Sequence, residues 1–486
     1  MSKPNILLLM TDQQRADALG CSGGWVDTPN MDRIAAEGIR FTNTVTNCPI
    51  CIPTRLSMAT GHYPHNTGVW ENIKHVLNPE TPTWMQAVRD AGYRTSVFGK
   101  THLHPHQSLV LNEMGTLDTN ATDDAGMTDL RDREPLMNAY GLDDVNEIAG
   151  PRASTRTLSY MTEMWNEKGI WERYREDFDD RFKTKPHVVR PSTNELEDYC
   201  DVYVPQQAKK YLEEYDRNEP WMCWVSFGGP HEPWDTPEPY ASKYAPDSMP
   251  DHIPRPAQNP DRPKGQLDEK FRTRTVDFEP GEEKRLYADY AGNVNLIDTQ
   301  IGELFETIEA RGEMDNTVIV MCSDHGEMNG DYQLIYKANF LNSAVRVPLI
   351  IRTPETVGSS LAGQVCESPV EWFDVGPTLV ELAGGTIDFP QFAKSLCPVL
   401  NDPTAEHRSE AISEHDGEIM LLNKEWKCAI NQAGEVYLLF DVKNDPDEEN
   451  NLAGTPEGKE VGDALRLRIL ERVASSQVYG GVRFAQ

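Results

Sequence analysis

Four times along this chain a short apolar run ends on residues that carry chemistry. Asn5-Ile6-Leu7-Leu8-Leu9-Met10 gives way to Asp12-Gln13, and residues 95–99 to Lys100-Thr101-His102. Residues 222–227 lead through Gly228-Gly229-Pro230 to His231, and residues 317–322 lead to Asp324-His325. Such runs, alternating with helical patterns, read as strands of a parallel α/β sheet. A fifth run, residues 347–352, fits the same sheet. In a parallel sheet the C-terminal strand ends share one edge, and ligands bind in the crevice beyond it. One aspartate after a strand is often only a turn residue. Two carboxylates, an amide, three imidazoles and a lysine along one edge describe a site.

Helices fill the intervals. Residues 29–37 form one, stopped by Gly38; residues 82–91 form another, with Thr81 as N-cap and Gly92 beyond its end. A long helix runs from about residue 284 to 311, with Leu286, Tyr290, Val294, Ile297, Ile301, Leu304 and Ile308 at helical spacing. Residues 107–205 and 232–280 are polar and irregular, and read as excursions lining a site. After about Ala393 the texture changes. Residues 418–422, 426–430 and 435–440 alternate as a small antiparallel sheet, and residues 464–475 read as a terminal helix. The expected architecture is α/β: a large, mostly parallel central sheet flanked by helices over residues 1–392, then a small C-terminal antiparallel sheet plus helix over 393–486.

Charge narrows the partners. Lys and Arg number 46 against 78 Asp and Glu, a formal charge of −32. Such a surface repels nucleic acid and anionic membranes, so an anionic substrate needs its own local cations. No apolar run approaches the ~18–20 residues of a membrane span, and the opening one is too short for a signal sequence. The nine cysteines are odd in number and dispersed, unlike a disulfide framework, and Cys223 and Cys322 sit in apolar runs as buried thiols. A reducing cytoplasm is expected, or the periplasm if a leader was removed.

Asp12, Gln13 and Asp324 offer hard oxygen ligands, and His325 a ring nitrogen; the set suits Ca²⁺, Mg²⁺ or Mn²⁺. Cys48 and Cys51 have C-x-x-C spacing, but no second pair exists to complete a zinc ribbon. Pro53 suits the first position of a helix, with Cys51 just outside its N-terminus, where anions are favoured and nucleophiles activated. Arg55 adds a charged fork nearby.

Cys51-Ile52-Pro53-Thr54-Arg55 and Gly92-Tyr93-Arg94-Thr95-Ser96-Val97-Phe98-Gly99-Lys100-Thr101-His102 closely resemble the two signatures of the type I, formylglycine-dependent sulfatases, in the alkaline phosphatase superfamily. The stretches Thr28-Pro29-Asn30-Met31-Asp32, Gly61-His62-Tyr63-Pro64-His65, Ser323-Asp324-His325-Gly326-Glu327, Arg346-Val347-Pro348-Leu349-Ile350 and Asp445-Pro446-Asp447-Glu448-Glu449-Asn450-Asn451-Leu452 extend the likeness along most of the chain. The resemblance implies an alkaline phosphatase-like fold and hydrolysis of sulfate monoesters, small aryl or alkyl sulfates or sugar sulfates. It implies that a formylglycine-generating enzyme oxidises Cys51, whose hydrated aldehyde is the nucleophile. One divalent cation, calcium first, with manganese or magnesium as alternatives, would be held by Asp12, Gln13, residue 51, Asp324 and His325. Arg55 would steady that centre, Lys100 and Lys337 would grip the sulfuryl oxygens, His231 would protonate the leaving oxygen, and His102 would take the proton that regenerates the aldehyde.

Departures from the pattern are informative. Ile52 and Ala59 replace commoner residues, and Gln13 and His325 resemble the branch of choline sulfatases and phosphonate monoester hydrolases. Lys100 and His102 are the sulfatase-type pair. A phosphonate monoester or phosphodiester hydrolase is therefore the alternative reading, and a binding protein with an unmodified Cys51 a remoter one. His104 and His106 read as pocket-rim or surface residues. Trp70, Trp234 and His415 read as core residues that could also touch substrate. Oligomeric state is left open.

Overall fold

Strand β1 (Asn5–Thr11) is buried along its whole length, and its two faces serve different cores. Ile6, Leu8 and Met10 pack with Trp84, Trp224 and Phe373 on one side of the sheet; Leu7 and Leu9 pack with Trp221, Ile297 and Ile301 on the other. A strand buried on both faces must be apolar at every position, which is why it reads as a continuous run. The computed structural model describes residues 3–72, 77–104 and 127–478.

The sheet also contains β2 (Ile39–Phe41), β3 (Arg94–Gly99), β4 (Asp144–Glu147), β5 (Trp221–Ser226), β6 (Thr317–Ser323), β7 (Leu349–Arg352) and β8 (Gln364–Cys366). Its order is β8-β2-β7-β6-β1-β5-β3-β4. β1, β3, β5 and β6 run parallel, so their C-terminal ends do meet along one edge. Helices α1 (Pro29–Glu37), α2 (Cys51–Thr60), α3 (Trp84–Asp90), α4 (Cys200–Glu214) and α5 (Glu282–Ala310) flank it. A second sheet, β9 (Ala411–His415), β10 (Glu418–Leu422), β11 (Trp426–Ile430) and β12 (Val436–Asp441), is antiparallel throughout. Helix α6 (Lys459–Ser475) packs Leu465 and Ile469 against Leu421, Cys428 and Leu439 of that sheet. No described helix is long and apolar enough to cross a membrane.

Several local expectations are corrected. The fifth run, residues 347–352, forms β7 from Leu349, and it runs antiparallel to both β6 and β2. Between β6 and β7 the only α-helix is Asn342–Val345, so the chain never crosses back and β7 must start at the ligand edge. The second helix begins at Trp84, because the Thr83 side chain, not Thr81, accepts from the Gln86 amide. Cys51 is the first residue of α2 rather than outside it, with Ile50 as the N-cap. The excursion from 107 to 205 is largely helical where described, including Trp171–Thr184 and α4. β4 and β9 had no legible signal: Asp-Val-Asn-Glu and Ala-Ile-Ser-Glu-His are too polar to read as strands.

Candidate functional site

Helix α2 points its first turn at the ends of β1 and β6. Cys51 Sγ lies 3.0 Å from His325 Nε2 and 3.9 Å from Asp12 Oδ1. Ligand atoms of Asp12, Cys51, Asp324 and His325 all fall within 4.8 Å of one another, and all four residues are buried. His325 Nδ1 is 3.0 Å from the Gly326 carbonyl, so this nitrogen carries a proton and Nε2 is the ring atom turned to the cluster.

Arg55, one turn along α2, fastens the carboxylates. Its Nε donates to Asp324 Oδ2 at 2.8 Å and its Nη2 to Asp12 Oδ2 at 3.0 Å. Its Nη1 donates to the Lys100 carbonyl at 2.5 Å, tying β3's end to the same point. Lys100 Nζ reaches Asp12 Oδ2 at 2.6 Å and Cys51 Sγ at 3.8 Å. Burial opposes ionisation of Cys51, yet Lys100, Lys337 and His325, with a hydrogen bond from His102, hold its thiol well below the usual range. Burial likewise opposes ionisation of Asp12, as does the Cys51 charge, but Lys100, His231 and Arg55 prevail and keep its carboxyl below the ordinary carboxylate range.

The remaining sequence candidates converge here too. Lys337, expected to grip the anion, is half-buried, with Nζ on Gln13 Oε1 and 4.0 Å from Glu232. Burial disfavours its charge, but Cys51, Glu232 and Asp12 raise its pKa. Gln13 Nε2 donates to Glu232 Oε2 at 2.9 Å and also to Glu327. His231 Nδ1 sits 2.7 Å from the Glu232 carbonyl, which leaves Nε2 for a ligand. Gln13, His102, Tyr336 and Ala338 all have positive φ (71°, 55°, 69° and 65°), conformations that L-residues avoid and that cluster at sites where the surroundings enforce them.

Four acidic residues of the site were given no role by the sequence, Glu327 standing only as the last residue of the Ser323–Glu327 stretch. Glu232 and Glu327 flank Gln13, and burial together with Glu232 pushes Glu327 up to about 7. Glu147 at the end of β4 holds the Lys100-Thr101-His102 turn through Thr101 Oγ1 and, at 2.8 Å, His104 Nε2. His104 is therefore a buried structural residue, not a rim or surface one; His106 lies outside the described residues. Asp201, in the first turn of α4, accepts from both Gly228 and Gly229 N–H at 2.8 Å. A side chain at Gly229 would meet Asp201 and Asn293 at 2.3 Å, so only glycine lets the loop to His231 pass here. The Gly229 carbonyl in turn accepts from the Asp12 amide at 3.0 Å, locking this loop to the cluster.

Other candidates stand apart. Cys48 is a free thiol, as are all nine cysteines, and burial and Glu414 raise its pKa. His415 is 3.9 Å from Cys48 and is held neutral by burial, its pKa lowered to about 3. Trp234 is buried and stacks on Tyr336. Trp70 is half-buried.

The arrangement is a buried, cation-rich pocket that can hold a divalent metal beside a nucleophile and an anion. Comparison with known proteins identifies the family. The profile of the family described as Sulfatase matches residues 4–385, and that of N-sulphoglucosamine sulphohydrolase, C-terminal, matches residues 330–475. An arylsulfatase of Clostridium perfringens is 27% identical, over 97% of this chain and 94% of that protein. A choline-sulfatase of Rhizobium meliloti is 28% identical, over 94% of this chain and 83% of that protein. The crystal structure of a phosphonate monoester hydrolase of Agrobacterium radiobacter superposes with a TM-score of 0.76 at 23% identity, covering 98% of this chain and 96% of that one.

Proposed function

The chain belongs to the sulfatase family, and from that membership we propose that it is a sulfuric ester hydrolase acting on small sulfate monoesters through residue 51, matured from cysteine to formylglycine. The observation that carries this reading is the Cys51 side chain, sealed against Asp12, His325 and Lys100 at the helix α2 N-terminus. Hydrated formylglycine would supply a hydroxyl nucleophile where the thiol now sits. Asp12, Asp324 and His325, with Gln13 adjoining, are the residues that would hold a divalent cation, calcium first by family resemblance. Such an ion lowers the pKa of an oxygen beside it and neutralises anionic charge. The donor set fits: two carboxylates and an imidazole nitrogen are gathered among buried residues.

The chain's own residues do the rest. Arg55 fixes the two carboxylates so that one face of each stays directed inward. Lys100 and Lys337 bind the oxygens of the incoming sulfuryl group, supplying the cations that a chain of formal charge −32 must provide locally. His231, oriented by the Glu232 carbonyl, holds a proton on Nε2 for the departing oxygen. His102, hydrogen-bonded to residue 51, receives the proton when sulfate leaves. Recognition of the rest of the ester falls to the surrounding loops.

Mass spectrometry of the peptide spanning residue 51, from enzyme co-expressed with a formylglycine-generating enzyme, tests maturation: aldehyde is expected, thiol alone refutes it. Rates on paired aryl sulfate and aryl phosphonate esters test the substrate class. A preference for the phosphonate would move the assignment to the alternative that Gln13 and His325 raise.

A further inference from the structure

The Arg346-Val347-Pro348 and Asp445-Pro446-Asp447-Glu448 stretches have no part in the proposed reaction, yet they meet. Arg346, Val347 and Pro348 line a cavity of about 320 Å³ with Pro446 and Asp447, walled also by Arg15, Arg40 and Ser343. Arg15 is fully engaged: its guanidinium pairs with Asp17 at 2.8 Å and Asp331 at 2.6 Å, and reaches the Glu327 and Met328 carbonyls. Arg40 and Arg346 are not. Neither guanidinium has a hydrogen bond or ion pair among the described residues, and Arg346 Nε is closed off from solvent with no acceptor. Glu448 is near Arg346, but its carboxylate faces Lys427 and the Asn342 amide. Of the cavity's carboxylates, Asp17 is taken by Arg15, and Asp447 is exposed at the mouth.

A buried guanidinium donor without an acceptor is expensive, and proteins rarely leave one. It is stranger still in a chain with 78 acidic side chains against 46 basic ones, where a partner is easily found. A ligand that fits must be anionic, rich in acceptors, and small enough to span two arginine forks. We infer that this cavity is a second anion site, in which Arg40 and Arg346 bind a tetrahedral oxyanion of the sulfate or phosphate type. None of the residues lining it belongs to the Cys51 cluster, and the site does not depend on the reaction proposed above.

Equilibrium dialysis of the metal-loaded enzyme with labelled inorganic sulfate, and separately with inorganic phosphate, counts the sites. Two anions per chain are expected for wild type. Arg40→Gln/Arg346→Gln should bind one while keeping its turnover, and Lys100→Ala/Lys337→Ala should also keep one, in the cavity. The arm with the tighter binding names the natural occupant. Unchanged stoichiometry in Arg40→Gln/Arg346→Gln overturns the inference. A wild-type crystal soaked in selenate gives a check that needs no variant: an anomalous peak between Arg40 and Arg346 is expected, and its absence at full active-site occupancy refutes the site.

Discussion

Among the buried arginines that bridge two carboxylates, Arg408 and Arg55 differ in what is left over. Arg408, which joins the catalytic sheet to the C-terminal region, pairs with Asp374 at 2.5 Å and Glu371 at 3.4 Å. Every oxygen of that pair is consumed. Asp374 also accepts from His407 and from the Lys394 and Glu371 amides; Glu371 accepts from Tyr63, Arg472 and the Ile412 amide. Arg55 likewise spans Asp12 and Asp324, but there Asp12 Oδ1 faces only the Cys51 sulfur and the edge of His325. The closed cluster is structural. In the open one Arg55 and Lys100 balance the carboxylates, yet Asp12 Oδ1 is left as an acceptor without a hydrogen-bond donor from nitrogen or oxygen among the described residues. Buried ion pairs alone do not mark an active site; unspent valence beside a nucleophile does.

The sharpest way to break this contrast is to remove one group from each cluster. Cys51→Ala should lower sulfate-ester turnover by at least about 10³-fold while leaving the thermal midpoint nearly unchanged. Turnover surviving in that variant would place the chemistry elsewhere. Arg408→Met should do the reverse, destabilising the fold by about 3–5 kcal/mol in urea titration while the folded fraction keeps its kcat, because two buried carboxylates lose the cation they share and keep only Arg472 beside Glu371 and His407 beside Asp374. The same pair predicts a pH effect. Burial opposes ionisation of Asp374, but Arg408 and His407 hold its folded pKa down to about 2. Its stabilising contribution is therefore complete above the unfolded value near 4 and is lost as pH falls through 2. Arg408→Met should move acid unfolding to higher pH.

Cation removal gives a smaller effect confined to the open cluster. Ca²⁺ at 100 times its dissociation constant should stabilise wild type by about 2.7 kcal/mol, and Asp12→Asn/Asp324→Asn should lose that response in a melting assay. Arg408→Met should retain it. Smallest of the four, Asp201→Ala should cut kcat about tenfold with KM little changed, since it frees the loop that aims His231 without touching the anion grip. Esters with good leaving groups, which need no general acid, should be spared; an equal loss on all esters would make Asp201 merely structural.

Much of the site was legible before any coordinates. Asp12, Lys100, His102, His231, Asp324 and His325 each follow an apolar run, and a parallel sheet delivers strand ends to one edge whatever the loops do. Lys337 was harder, because it sits on a loop whose neighbours Tyr336 and Ala338 take positive φ that no local pattern announces. Glu147, Asp201 and Glu232 were invisible, and Glu327 carried no assigned role within its stretch, for another reason. A carboxylate in a polar stretch reads as solvated until packing shows it buried against backbone amides or a lysine.

The order of apolar and polar residues along the chain determined the α/β class, the strands that carry the chemistry and the cysteine at their focus, since these depend on burial patterns written locally. The tertiary structure alone decided that β7 turns back antiparallel, that one oxygen of Asp12 stays open beside Arg55 while Arg408 closes its own carboxylates, and that two distant arginines line one cavity. Each of these depends on which side chains meet across hundreds of residues, and charges are felt through space, not along the sequence.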